Sequence, residues 1–174
     1  MSDRTVTRGG KLVTLDGNEI KVGQKAPDFK LLDTEWNVVT LSQSKGKVRL
    51  LSVVHSLDTP VCDLQTRTFE EEASKFKNVV IYTISMDLPF AQTRYCSLNE
   101  IKNLKTLSDY RDASFGLAYG ILIKELRLLG RAVFIIDEND IVRYVEYVKE
   151  VGSHPDYDKA TKALKEIVGA KVGM

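Results

Sequence analysis

RLLSVVHSLDTPVCDLQTRTF, residues 49–69, is the stretch that decides how this chain folds. Leu50–Val54 is a short apolar, partly β-branched run that reads as a buried strand and stops at a polar turn. Asp58 and Thr59 can cap a helix whose first residue is Pro60, where proline's missing N–H costs nothing. Cys62 therefore falls in the first helical turn, where unpaired amides and the positive end of the helix dipole favour an anion. The thiolate is the reactive form of cysteine, so Cys62 is a candidate nucleophile. On local geometry alone, a cysteine there serves equally well as packing beneath a helix start.

Downstream, Phe69, Ala73 and Phe76 continue an inward stripe on this helix, with Glu70, Glu71, Glu72 and Lys75 on a solvated face and Asn78 as its end. Val79–Ser85 reads as a buried parallel strand. Asp87 is placed to cap the next helix, with Pro89 in its first turn and Cys96 toward its far end. A short strand over Leu104–Leu107 and a helical turn or two over Asp112–Tyr119, stopped by Gly120, come next. Arg131–Ile136 and Ile141–Tyr147 form a hairpin across Asp137-Glu138-Asn139-Asp140. Tyr157, Ala160, Leu164, Ile167 and Val168 share one face of a last helix, which Gly169 ends.

Upstream, alternating runs around Gly9-Gly10, with a second turn at Asp16-Gly17-Asn18, predict a small hairpin over about residues 5–21. Lys30–Leu32 and Val38–Leu41 are short extended pieces, and Gln43–Lys47 reads as a polar loop. The order implies one domain spanning 1–174, with a mixed sheet that is parallel in its first half, flanked by helices and ending in an antiparallel hairpin.

Composition excludes several classes of function. With 25 basic and 24 acidic residues the net charge is +1, which offers no field for nucleic acid or an acidic membrane surface. No apolar run reaches the length of a membrane span, and the N-terminal stretch lacks the apolar core of a secretory signal, so a cytoplasmic location is expected. Two cysteines and two histidines, widely scattered, give no paired zinc spacing, and neither a metal nor another cofactor is expected. In a reducing compartment a disulfide between such cysteines is catalytic or sensing rather than structural.

Thr59-Pro60-Val61-Cys62, preceded by Ser56-Leu57-Asp58, resembles the active-site segment of the thiol peroxidases, a branch of the atypical two-cysteine peroxiredoxins. Asp87-Leu88-Pro89-Phe90-Ala91-Gln92-Thr93-Arg94-Tyr95-Cys96 is similar to that family's resolving-cysteine helix, and Leu128-Leu129-Gly130-Arg131-Ala132-Val133-Phe134 to its arginine-bearing strand. The resemblance implies a thioredoxin-like fold with the N-terminal hairpin added, although thioredoxin's own Cys-x-x-Cys is absent. It implies a peroxidase acting on hydrogen peroxide and organic hydroperoxides, with Cys62 as peroxidatic and Cys96 as resolving cysteine. The two would form an intrachain disulfide after partial unwinding of the second helix, and thioredoxin would reduce it.

By the same resemblance Thr59 holds peroxide and thiolate through its hydroxyl, Arg131 stabilises both, and the backbone amides of Val61 and Cys62 complete the site. A homodimer built around the active-site loops is implied, with Tyr95, Phe115 and Tyr119 as candidate contacts. Two positions depart from the family pattern. His55 replaces a proline that shields the thiolate; it either tunes the site by adding positive charge beside Cys62 or weakens it. Gly130 stands where alanine is common, which would loosen the arginine's strand slightly. Two other readings use the same residues: a non-enzymatic cysteine redox sensor, and an inactive thioredoxin-like binding domain.

Overall fold

The computed structural model describes residues 3–172. Its elements are β1 (Arg4–Arg8), β2 (Lys11–Asp16), β3 (Lys30–Leu32), β4 (Val38–Thr40), β5 (Val48–Val53), α1 (Pro60–Ala73), β6 (Val79–Ser85), α2 (Pro89–Leu98), β7 (Lys105–Ser108), α3 (Ser114–Ala118), β8 (Leu122–Ile123), β9 (Leu128–Leu129), β10 (Ala132–Ile136), β11 (Val142–Tyr147) and α4 (Tyr157–Val172). A seven-stranded sheet runs in the order β11-β10-β5-β6-β7-β3-β4. β5, β6 and β7 are parallel, and the flanking pairs are antiparallel.

Alternation along the central strands divides the core in two. Leu50, Ile81, Val133 and Ile135 pack with Phe69 of α1 and with Ala160, Leu164 and Ile167 of α4 on one face. Leu51, Val53, Ile84, Phe134 and Ile136 face the other way, toward Phe115 and Tyr119. The hairpin β1–β2 reaches this second face because Val6, Val13 and Leu15 share one side of it. Its turn is Gly9-Gly10, both at positive φ, the backbone a tight hairpin of this hand requires.

The thioredoxin-like arrangement is thus present, together with details that local patterning did not give. β8 and β9, two residues each, join the hairpin in a second sheet ordered β1-β2-β8-β9. They are too short to show a period, and pairing alone defines them as strands: Leu15 and Asp16 with Ile123 and Leu122, and Leu122 and Ile123 with Leu129 and Leu128. Residues 41–44 form a 3-10 turn rather than part of an open loop. α1 ends at Ala73, short of Asn78, and Phe76 packs on the core from beyond the helix. α4 passes through Gly169 to Val172, since glycine is tolerated where a helix carries no tertiary stop.

Phe115 and Tyr119 are fully buried, stacked on each other with centroids 4.5 Å apart, and so form core rather than a contact surface. The exposed aromatic cluster lies elsewhere: Trp36 packs 5.1 Å from Phe90 and 6.1 Å from Tyr110. Among the described residues no helix is long and apolar enough to cross a membrane.

Candidate active site

The strand order carries Cys62 to the carboxyl edge of the parallel strands, where α1 begins. β10 lies antiparallel to β5 with Ala132 opposite Val53, so Arg131 emerges beside the loop that follows β5. The loop and α1's first turn then close around the sulfur. Cys62 is fully buried among Val54, Leu57 and the partly buried Tyr95. Its Sγ receives the His55 amide at 3.2 Å and the Ser56 amide at 3.5 Å. Two amides directed at one sulfur form an anion-holding nest on top of the helix dipole.

Thr59 is the N-cap residue by position, but its hydroxyl donates to the Ser56 carbonyl at 2.8 Å and caps no helical amide. Thr59 and Pro60 border a cleft of about 750 Å³ between the loop and α2, whose walls include Asp63, Arg94 and Tyr95; Cys62 and Arg131 lie behind its lining rather than in it. Val61 is half-buried.

Arg131 is almost wholly buried, at 2% exposure. Its Nε donates to the Val151 carbonyl at 2.8 Å and its Nη1 to Gln65 Oε1 at 3.0 Å. No carboxylate pairs with it among the described residues. A buried cation held only by neutral acceptors is stabilised by an anion formed nearby. Tyr157, at the start of α4, lies in the fields of both groups. Burial raises its pKa, the charge of Arg131 opposes this, and Cys62 adds to it.

Gly130 precedes Arg131 against the core. A Cβ there would stand 3.0 Å from the Ile121 side chain, so the missing methyl is space that Ile121 fills.

Cys96 is a free, half-buried thiol on α2, its Sγ 3.5 Å from Thr106 Oγ1, and Cys62 is free as well. Desolvation raises the Cys96 pKa, only partly offset by Thr106, so in the docked helix this thiol stays protonated.

Two residues that organise the site escaped sequence reading. Asp87 caps nothing, since Leu88 is the N-cap of α2. Its carboxylate instead accepts Ser56 Oγ at 2.8 Å, the Leu57 amide at 2.8 Å and Ser85 Oγ at 2.7 Å, tying the cysteine loop to the end of β6. Gln65 joins Arg131 to the sheet, donating to Ser52 Oγ at 2.8 Å. Its signal was a polar residue four positions before Phe69, on the inward stripe of α1.

His55 differs from an isolated imidazole. Its ring is buried and its pKa is lowered, chiefly by desolvation and further by Arg8 and Arg131, so it brings no positive charge to Cys62. What it offers the sulfur is its backbone amide.

A family model described as Redoxin matches residues 21–161. The thiol peroxidase of Halalkalibacterium halodurans is 58% identical over 161 residues, covering 92% of this chain and 97% of that protein.

The chain belongs to the thiol peroxidase family.

The thiol peroxidase of Bacillus subtilis agrees, at 54% identity over 163 residues, 94% of this chain and 98% of its own length. Among solved structures, a peroxiredoxin-like protein from Aquifex aeolicus superposes with a TM-score of 0.89 at 39% identity, covering 94% of this chain and 97% of that one. A thiol peroxidase from Chromobacterium violaceum shares the fold at TM-score 0.85 and 23% identity, with 95% and 98% of the two chains covered. As a thiol peroxidase the chain is an enzyme of the peroxiredoxin type. Among its described residues no group of three or more His, Cys, Asp or Glu is arranged to hold a metal.

Proposed function

We propose that Cys62 is the peroxidatic cysteine of this peroxidase, Cys96 its resolving partner, and Thr59 and Arg131 the side chains that serve the reacting oxygens. The observation that carries the reading is the pair of amides on the buried Cys62 sulfur, at 3.2 and 3.5 Å. The thiolate attacks the outer oxygen of a hydroperoxide and the O–O bond breaks. Sulfur gives up the electron pair, and the departing alkoxide or hydroxide takes a proton to leave as alcohol or water. Thr59 spends its donor on Ser56, so its hydroxyl oxygen accepts from the peroxide O–H, and the amides of Val61 and Cys62 complete the donor set. Arg131 offsets the negative charge that moves from sulfur to oxygen.

The product is a sulfenic acid. The Cys96 thiolate attacks its sulfur, hydroxide leaves and is protonated to water, and one intrachain disulfide forms. α2 must come away from the sheet for this, and its seat supports such a movement. The helix buries only Pro89 and Gln92, and exposes Phe90 and Leu98. Beneath it the sheet presents hydroxyls: Thr106, Ser85 and Ser108 are buried, and Gln92 Nε2 donates to Ser85 Oγ and to the Leu107 carbonyl. Water replaces such bonds when the helix lifts, and little apolar surface is exposed.

Thioredoxin completes the cycle by thiol exchange, the enzyme acts in the cytoplasm, the chain forms one domain, and it pairs as a homodimer. The exposed cluster of Trp36, Phe90 and Leu88 at the start of α2 supports the last point. A sensor without turnover rested on His55 in place of the family's proline, and the thiol peroxidase relatives do not favour it.

The test is stopped-flow oxidation of reduced protein by hydrogen peroxide and by cumene hydroperoxide, followed by mass-spectrometric mapping of the disulfide. Oxidation far faster than that of a free thiol, abolished in Cys62→Ser and ending in a Cys62–Cys96 bond in wild type, is the expected result. Peroxide consumption that survives Cys62→Ser would overturn it.

A further inference from the structure

His55 carries information in its ring that its backbone role does not use. Nδ1 stands 2.8 Å from the Leu129 carbonyl, which can only accept, so Nδ1 bears the proton. Nε2 stands 3.0 Å from Arg8 Nε, whose N–H can only donate, so Nε2 presents a bare lone pair. The ring is thus the neutral Nδ1–H tautomer, clamped between β9 and the end of β1. Burial favours this neutral form most, and the charges of Arg8 and Arg131 add to it, while the Leu129 bond and Asp87 oppose them. These are the charged groups that face the ring.

The same end of β1 reaches the other half of the site. The Thr7 amide donates to the Lys149 carbonyl at 2.7 Å, and the Val151 amide donates to the Thr7 carbonyl at 2.8 Å. Val151 in turn offers its carbonyl to Arg131 Nε at 2.8 Å. Two neighbouring residues of the N-terminal hairpin therefore brace both the segment that gives amides to the sulfur and the segment that holds the arginine.

We propose that Arg8 and His55 are a positioning pair through which the N-terminal hairpin sets the direction of the His55 and Ser56 amides at the Cys62 sulfur. The hairpin touches neither peroxide nor thiol and acts through this contact. A histidine here keeps the backbone N–H that a proline would lack, and its ring makes the direction of that N–H depend on Arg8.

The pair is tested with two variants and one spectrum. Arg8→Ala and His55→Phe should each slow the oxidation of Cys62 by hydrogen peroxide about tenfold, the loss expected when a bond to a charged acceptor is misaligned. With only two histidines in the chain, imidazole proton resonances assign readily once His154 is replaced. In wild type the His55 signal should titrate below 6.5, and Arg8→Ala should move its midpoint upward, because a repelling cation and a donor to Nε2 are both gone. A rate within twofold of wild type in either variant, or an unmoved midpoint in Arg8→Ala, overturns the pairing. The inference rests on Cys62 being the nucleophile. That reading fails separately, through activity in Cys62→Ser, whereas the titration reports on the pair whatever the nucleophile.

Discussion

Replacing Asp87 by alanine should cripple peroxide reduction although Asp87 lies on a different segment from the cysteine it serves. Its carboxylate holds Ser56 Oγ, the Leu57 amide and Ser85 Oγ at 2.8, 2.8 and 2.7 Å. A hydrogen bond to an ionised group contributes about 1.5–3 kcal/mol. Ser56 and Asp87 are half-exposed, so water takes over much of the serine bonding, but Leu57 is 5% exposed and its amide has little access to solvent. The net cost is then about 3 kcal/mol, dominated by that one amide. If all of it were felt in the transition state, the rate would fall roughly a hundredfold, since about 1.4 kcal/mol is tenfold. That is an upper bound, and a loss of more than about tenfold is expected.

Asp87→Asn keeps one oxygen for the Leu57 amide and turns its amino group to a serine hydroxyl, so its loss should be several times smaller. Single-turnover peroxide consumption measures the rate, and denaturant unfolding separates it from global destabilisation. Oxidation of Asp87→Ala within threefold of wild type would refute the claim that this carboxylate sets the cysteine loop.

Arg131→Ala should reduce peroxide turnover by tenfold or more, and should also lower stability because Gln65 Oε1 and the Val151 carbonyl lose their donor; a smaller fall in steady-state turnover contradicts its proposed role. Tyr95→Phe removes a 2.6 Å bond to Asp63 that pins α2 over Cys62, so the disulfide should form about tenfold faster after oxidation, as read by quenched mass spectrometry. Unchanged timing would mean the bond does not restrain the helix. Burial pushes the Asp109 carboxyl from 3.8 up to about 6, so the folded state binds this proton more tightly than the unfolded chain. Its contribution to stability is full below pH 3.8 and is lost as pH rises through about 6, amounting to about 3 kcal/mol. Denaturant unfolding at pH 4 and pH 7 should show that difference shrinking in Asp109→Asn.

Most of the fold was legible because it is written in local periods. The β-branched run Val79–Ser85 became β6 at those limits, and Pro60 opened α1 as a proline without a needed N–H should. What escaped was either too short for a period, as with Leu122–Ile123 and Leu128–Leu129, or was a polar side chain whose nearest local use was not its tertiary one. Asp87 before Leu88-Pro89 has the look of a cap, and β6 instead delivers it to the cysteine loop. Thr59 stands at the cap position and bonds backward to Ser56. Phe115 and Tyr119 gave no sign in sequence of which side of the sheet they cover.

By itself the sequence determined that a cysteine would sit in the first turn of a helix after a buried strand, and that a second would ride on the next helix. Both follow from interactions a few residues apart. Only the tertiary structure decided what surrounds the sulfur. Pairing of β10 with β5 places Ala132 opposite Val53 and so brings Arg131 to the loop, and the hairpin's Arg8 crosses to His55. The charge on that histidine was decided in the same way, because burial and two neighbouring arginines, all remote in the chain, keep it neutral where its isolated chemistry would leave it half protonated near pH 6.5.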